Sequence, residues 1–248
     1  MPSLDVILPC YRPHPGWEER LAADGEKIIA ALAAEGCEVR FHLANDGSPA
    51  GSFPEDKLDW VRRRLGRVEF WTYERNRGKG YCLRNAVART EGDYQVYTDF
   101  DLPFGWESVV AAYHGLLRGH DVVMGVRGQE YARALVGFRK VLSRAAKMLN
   151  RCILGLPAEK MDTQAGLKGF NRRGRGAFLQ TRVETFFFDT EFILIASKNG
   201  LDIGTEAVTL RPGVRFSRMG LKVMAREFCC FLGVLWRVRL FGKKDVNP

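Results

Sequence analysis

Residues 93–104 read DYQVYTDFDLPF. Tyr94 to Tyr97 is aromatic and β-branched in tight alternation, as a buried strand should be, and it runs straight into Asp99, Phe100 and Asp101. In an extended chain, side chains at i and i+2 face the same way. A strand ending here therefore aims two carboxylates at one point while the residue between them packs behind. Like charges so placed repel unless a cation lies between, and an oxygen-only donor set of modest charge suits Mg2+ or Mn2+ carried on a diphosphate. The same spacing also suits a turn cap after a strand, because Asp bonds its own turn backbone.

The segments before this stretch alternate strand and helix. Leu4 to Leu8 is a short apolar run halted by Pro9. Leu21, Ile28, Ile29 and Leu32 recur at helical spacing between Trp17 and Glu35, with Gly36 as a stop. Val39 to Ala44 then leads into the turn cluster Asn45-Asp46-Gly47-Ser48-Pro49. The pattern repeats with a helix over 58–65, a strand over 68–73, and a basic, Gly-bearing turn at 75–80 that opens a helix through Val87. After residue 104 come a helix over 106–117 and a strand over 121–126. Strands separated by helices predict an α/β fold whose central, mainly parallel sheet is flanked by helices, with ligand loops at the carboxyl ends of the strands. In the turn, Arg77-Gly78-Lys79-Gly80 suits backbone amides approaching a diphosphate at a helix N-terminus. It matches neither Walker A nor GxGxxG, and a solvated basic turn explains it as well.

Farther on, residues 135–154 carry Val141, Leu142, Ala145, Leu149 and Ile153 on one helical face and Lys140, Arg144, Lys147 and Arg151 on another. Arg139 and Ser143 lie one turn apart and can reach a single anion. Between Val126 and Arg151, seven Lys or Arg face one acid, Glu130, so the group suits a bound phosphate. DTQAGLKGF, from Asp162, reads as a loop entering a strand, and 172–180 as a short helix. In FFFDTEF, Asp189 and Glu191 are acids in an apolar stretch, costly to bury unless paired or at work on a substrate. Asp189 also suits a helix cap. Residues 201–210 alternate as an edge strand does.

Of the 248 residues, 46% are apolar and 27% charged, ordinary for a globular chain. The net charge of +9 favours an anionic partner. Much of that excess lies after Val208, where nine Lys or Arg face two acids around FCCFLGVLW, residues 228–236. This run is too short to cross a bilayer but suited to lie in its surface, or equally to dock on the core. The expected division is a domain over 1–217 and a basic amphipathic helix over 218–248. The six cysteines and four histidines show no metal-ligand spacing, which points to reduced thiols in a cytoplasmic-type compartment. The N-terminal MPSLDVILPCYRP is not patterned as a signal peptide, and no apolar run is long enough to span a membrane. No nucleic-acid motif appears.

Taken in order, VILPCYRP, ANDGSP, NRGKGYCLRNAV, YTDFDLP, MDTQAGLKGF and FFFDTEF resemble the inverting family 2 glycosyltransferases of GT-A fold, nearest to the dolichyl- and polyprenyl-phosphate mannose and glucose synthases. The resemblance implies a nucleotide-sugar donor, a divalent cation and a polyprenyl-phosphate acceptor at a membrane surface. It implies that Pro9, Tyr11 and Asp46 line the nucleoside pocket and that Lys79 lies near the donor. Asp99 and Asp101 match the family's DxD, which holds metal and diphosphate. Arg127, Arg139 and Ser143 fall where the synthases bind the acceptor phosphate. Asp162 and Gln164 occupy the DTQ-type loop, and Glu191 the FDxE position. Pro13 and Asn45 replace acids usual in the family, which leaves the donor base open, and Pro103 offers no polar side chain after the DxD, so water would complete the metal shell. A lipid phosphate is already ionised and needs orientation more than a base. A hydroxyl acceptor would instead need Glu191 or Asp189 to take its proton. A nucleotidyltransferase would share the sheet and metal site, and a non-enzymatic basic module binding anionic lipid or RNA would share the charge.

Overall fold

Every residue of Ser3–Cys10 (β1) is buried, as a strand covered on both faces must be. β1 pairs in parallel with Glu38–Asn45 (β2) on one side and Tyr94–Tyr97 (β4) on the other, and β2 carries Val68–Thr72 (β3) at the sheet's edge. Beyond β4 come Lys168–Asn171 (β6), Val122–Arg127 (β5) and Ile203–Val208 (β7), in the order β3-β2-β1-β4-β6-β5-β7. β6 is antiparallel to both neighbours and β7 is parallel to β5, so every strand but β6 points the same way. The structure, a computed structural model, describes residues 1–128, 163, 165–185 and 187–212.

Two apolar layers hold the helices on the sheet. Trp17–Ala33 (α1), Glu55–Leu65 (α2) and Trp106–Leu117 (α4) cover one face, where Ile28, Leu58 and Val109 pack with Val6, Phe41 and Val96. Lys79–Arg89 (α3), Arg172–Leu179 (α5) and Phe188–Lys198 (α6) cover the other, where Leu83, Phe178 and Phe192 pack with Ile7, Tyr97 and Phe170. Aromatic rings dominate this second layer. Phe178 meets Phe192 edge-on at 5.0 Å and stacks on Phe170 at 5.3 Å. Fully burying each such side chain contributes about 1.5–3 kcal/mol.

Residues 94–97 and 106–117 adopt the strand and helix that their patterning predicts. The expected strand in the DTQAGLKGF segment is β6, and 201–210 holds the edge strand β7. The expected helix over 135–154 and the tail helix over 218–248 lie outside the described residues. Among the described residues, no helix is long and apolar enough to cross a membrane.

The sheet order positions the site. The order of the strands reverses at β1, with β2 and β3 on one side of it and β4 on the other. The crevice outside the carboxyl ends of the strands at such a point is where open α/β sheets bind ligands.

Candidate active site

At that crevice is a cleft of about 650 Å³, with Pro9, Tyr11, Asp46, Arg77, Lys79 and Asp99 among its walls. Tyr11 stands 45% exposed at its mouth, with the Arg12 guanidinium 5.1 Å from its ring. Arg12 N donates to Ser48 Oγ at 2.8 Å, joining the loop after β1 to the loop after β2.

The Asp99–Leu102 segment is a turn rather than a strand end. Leu102 N donates to Asp99 O at 2.9 Å, and Leu102 takes a left-handed φ of 42°. That conformation is strained for a branched side chain and is held here because Leu102 is buried in the core, 1% exposed. The i and i+2 geometry of an extended chain is therefore not what brings Asp99 and Asp101 near each other. Asp99 Oδ1 accepts from Lys79 Nζ at 2.5 Å, and Gly166 packs so close that a Cβ there would fall 2.4 Å from Asp99 Oδ2. Asp101 reaches solvent, yet the walls beside it strip part of its water, and with the Asp99 charge they push its pKa up against the pull of His14 and Arg20. Burial alone would lower the Lys79 pKa. The carboxylates of Asp99 and Asp189 outweigh it, so the ammonium stays charged.

The expectation that the 77–80 turn offers its amides to a diphosphate is corrected by the structure. Arg77 N and Gly78 N donate to the two oxygens of the Asp46 carboxylate at 3.0 and 2.8 Å, while Gly80 N and Tyr81 N donate to Glu184 O at 2.9 and 3.3 Å. These donors are already satisfied within the protein, as buried backbone groups must be. The glycines answer a different need. A Cβ on Gly78 would meet Glu184 O at 2.4 Å, and one on Gly80 would meet Val183 O at 2.4 Å. They admit the 181–185 segment, which caps α3 with a carbonyl and lines the cleft with Glu184 and Thr185. Arg77 fastens it further, donating to Glu184 Oε1 at 2.7 Å while lying 3.8 Å above the Tyr81 ring.

Asp46 is buried, 4% exposed, and also accepts from Asn76 Nδ2 at 2.8 Å. Its carboxylate is committed to the turn, although one edge lines the cleft. Asn45 is likewise committed, accepting from Ser48 N and donating to Thr72 Oγ1, both at 2.9 Å.

Behind Asp99 lies a buried network that the sequence did not reveal. Lys168 Nζ, on β6, reaches Asp189 Oδ1 at 2.9 Å and donates to Thr163 O and Ala165 O at 2.6 and 2.5 Å, while Tyr97 Oη donates to Asp189 Oδ1 at 2.5 Å. Asp189 is therefore an ion-pair partner, not a helix cap. The network moors Thr163 and Ala165, next to Gly166, which backs Asp99. Glu191 Oε2 accepts from Arg182 N and Val183 N at 2.8 and 2.7 Å, tying the cleft-lining segment to α6. The signal for both was the cost of burying charge in an apolar stretch, which announces a partner without naming it.

Arg127 ends β5, at the carboxyl end of the sheet as Asp99 is at β4. Asp162, Gln164, Arg139 and Ser143 lie outside the described residues. Among those described, no three His, Cys, Asp or Glu side chains cluster as a metal site. Asp99 and Asp101, close enough for one charge to raise the other's pKa, still fit Mg2+ or Mn2+. These ions commonly take one or two carboxylates and fill the remaining positions with phosphate oxygens and water.

Neither a family model nor a curated protein matches the chain. Solved structures do. Mannosyl-3-phosphoglycerate synthase from Rubrobacter xylanophilus superposes with a TM-score of 0.68 at 19% identity, covering 99% of this chain and 77% of that one. The fold is GT-A. Glucosyl-3-phosphoglycerate synthase from Mycobacterium tuberculosis superposes in its complex with Mn2+, uridine diphosphate and glucosyl-3-phosphoglycerate at a TM-score of 0.65 and 16% identity, covering 99% of this chain and 82% of that one. In its Mg2+ and uridine diphosphate complex the TM-score is 0.68, again at 16% identity, covering 99% and 81%. On the GT-A scaffold of this chain, the cleft at the β1–β4 switch point is the site candidate.

Proposed function

We propose that the protein is a metal-assisted hexosyltransferase that moves a sugar, with inversion, from a nucleotide-diphosphate sugar to a phosphate-bearing acceptor. The observation that carries this reading is the contact of Lys79 with Asp99 in the wall of a cleft of about 650 Å³, which is large enough for a nucleotide, with Asp101 in the same turn as Asp99. The fold neighbours crystallised with uridine diphosphate and Mn2+ or Mg2+ support it.

The donor's nucleoside enters past Pro9 and Tyr11, and its diphosphate lies toward Lys79 and Asp99. Asp99 and Asp101 would hold the cation, which when bound stabilises the charge that collects on the departing diphosphate. Lys79, kept cationic, adds a second positive centre on the same side. Where the acceptor's phosphate is itself the nucleophile, as in a polyprenyl phosphate, it needs no base, and orientation by cationic side chains is enough. A phosphorylated acid that accepts through a hydroxyl needs its proton removed. Arg127, and Arg139 and Ser143 from the sequence, are our candidates for orienting the phosphate. The engagement of Glu191 with two backbone amides favours a positioning role over proton abstraction.

The acceptor's phosphate has two candidate sources, a polyprenyl phosphate or a small phosphorylated acid. The basic, apolar segment at 218–248 supports the first, and the phosphoglycerate-using fold neighbours support the second. The test incubates the protein and Mn2+ with radiolabelled UDP-glucose or GDP-mannose, and with either dolichyl phosphate or 3-phosphoglycerate. Label moving into the organic phase identifies the lipid acceptor, and label in a new anionic aqueous product identifies the soluble one. Label in neither, with no nucleoside diphosphate released, overturns the reading.

A further inference from the structure

Lys79 touches the carboxylate that the cation would use. Its ammonium lies 2.5 Å from Asp99 Oδ1, and with that contact made the Asp99/Asp101 pair presents one net negative charge instead of two. A divalent ion must compete with a charge-assisted hydrogen bond for that oxygen. The pairing is not locked. Asp99 is 43% exposed, and the Lys79 side chain, 10% exposed, lines the same cleft as Arg77 and Gly78, where a diphosphate would lie. A lysine on its four-carbon stem can change partners by rotation, and the close approach of Gly166 keeps the Asp99 carboxylate in place as the ammonium leaves. Asp189 does not compete for Lys79 as a free anion, because Lys168 and Tyr97 already engage it.

We propose that Lys79 couples the metal to the nucleotide: it holds Asp99 until a diphosphate draws its ammonium away, so the divalent ion binds tightly only together with a nucleoside diphosphate. The proposal rests on the glycosyltransferase reading and adds to it an order of assembly. The ion is excluded from an idle site, and its arrival reports that donor is present.

The test measures Mn2+ binding to the full chain from the electron paramagnetic resonance signal of free Mn2+, with and without UDP or GDP. It uses the wild-type protein, Lys79→Met and Lys79→Gln, each checked for folding by its melting curve. Wild type should bind Mn2+ at least about tenfold more tightly with nucleotide, the scale of one charge-assisted contact. Either variant should bind Mn2+ about tenfold more tightly than wild type when nucleotide is absent, with a correspondingly smaller gain on adding it. Variants no tighter than wild type without nucleotide overturn the coupling while leaving the reading of the site intact. A wild type that binds Mn2+ equally with and without nucleotide overturns it even if both variants fail to fold. If Mn2+ binds under no condition, the glycosyltransferase reading falls as well, and the coupling with it.

Discussion

Asp46 separates two accounts of how the cleft treats a nucleotide. If its carboxylate read the base, Asp46→Asn would change the preference between UDP and GDP and leave the fold alone. The structure instead commits it to Arg77 N, Gly78 N and Asn76 Nδ2, at 3.0, 2.8 and 2.8 Å. A hydrogen bond to a charged acceptor is worth about 1.5–3 kcal/mol. An asparagine with its oxygen toward Gly78 and Asn76 keeps two of the three in weaker, neutral form and turns an amide toward Arg77 N–H. Burial raises the Asp46 pKa in spite of those amide bonds, so the charge itself adds no net stability, and the loss is that of an Arg77 N–H left facing another donor. The net loss comes to about 2 kcal/mol, or roughly 4–8 °C in Tm for a chain of this size. Urea melts give the stability, and calorimetric titration gives the affinities for UDP and GDP with Mn2+. Both affinities should fall together as the 75–78 wall loosens. Unchanged stability with a selective shift toward one base would refute the reasoning.

Gly166→Ala puts a Cβ 2.4 Å from Asp99 Oδ2 at a backbone conformation that alanine can adopt, so the carboxylate must move. Initial rates should drop about 10- to 100-fold, the scale of a misplaced catalytic group, while the melting temperature changes little. Glu191→Gln keeps an oxygen for Arg182 N and Val183 N and should retain most activity, whereas Glu191→Ala leaves both amides unpaired, costing about 2–4 kcal/mol. Equal inactivity of both stably folded variants would identify Glu191 as the base of a hydroxyl-acceptor enzyme. Burial alone would raise the pKa of Asp121, but Asn171, the Asp202 amide and Arg173 outweigh it and hold the pKa below the usual range. Its stabilising contribution is thus fully present above the unfolded value of about 3.9 and lost as pH falls through the lower, folded one. The difference in urea stability between wild type and Asp121→Asn should be largest at pH 7 and shrink steadily below pH 4.

Local pattern carried much of the fold. The period-two run at 94–97 and the helical spacing in α1 and α4 depend on neighbours in sequence, and alternating strands with helices implies a parallel sheet. Where a contact joins distant segments, the sequence names only one party. Gly78 and Gly80 suited a phosphate turn or a solvated basic turn because their sequence could not show the backbone, 183–184, that approaches them. Nothing in DTQAGLKGF singles out Lys168, whose partner Asp189 is met only because β6 runs reversed between β4 and β5. Asp99 and Asp101 stood out because two acids two residues apart after an apolar strand are chemically conspicuous. The turn that sets their geometry depends on Leu102 being buried, which pattern alone does not give.

The central claim is that Asp99 and Asp101 take up a nucleoside diphosphate through a divalent cation. Calorimetric titration of UDP and GDP, each with Mn2+ and with the metal chelated, into wild type and Asp101→Asn tests it most directly. At least one nucleotide should bind wild type with a strong requirement for Mn2+, and Asp101→Asn, equally well folded, should lose most of that requirement together with affinity. Binding of equal strength in all four conditions, or no binding to wild type in any, would contradict it.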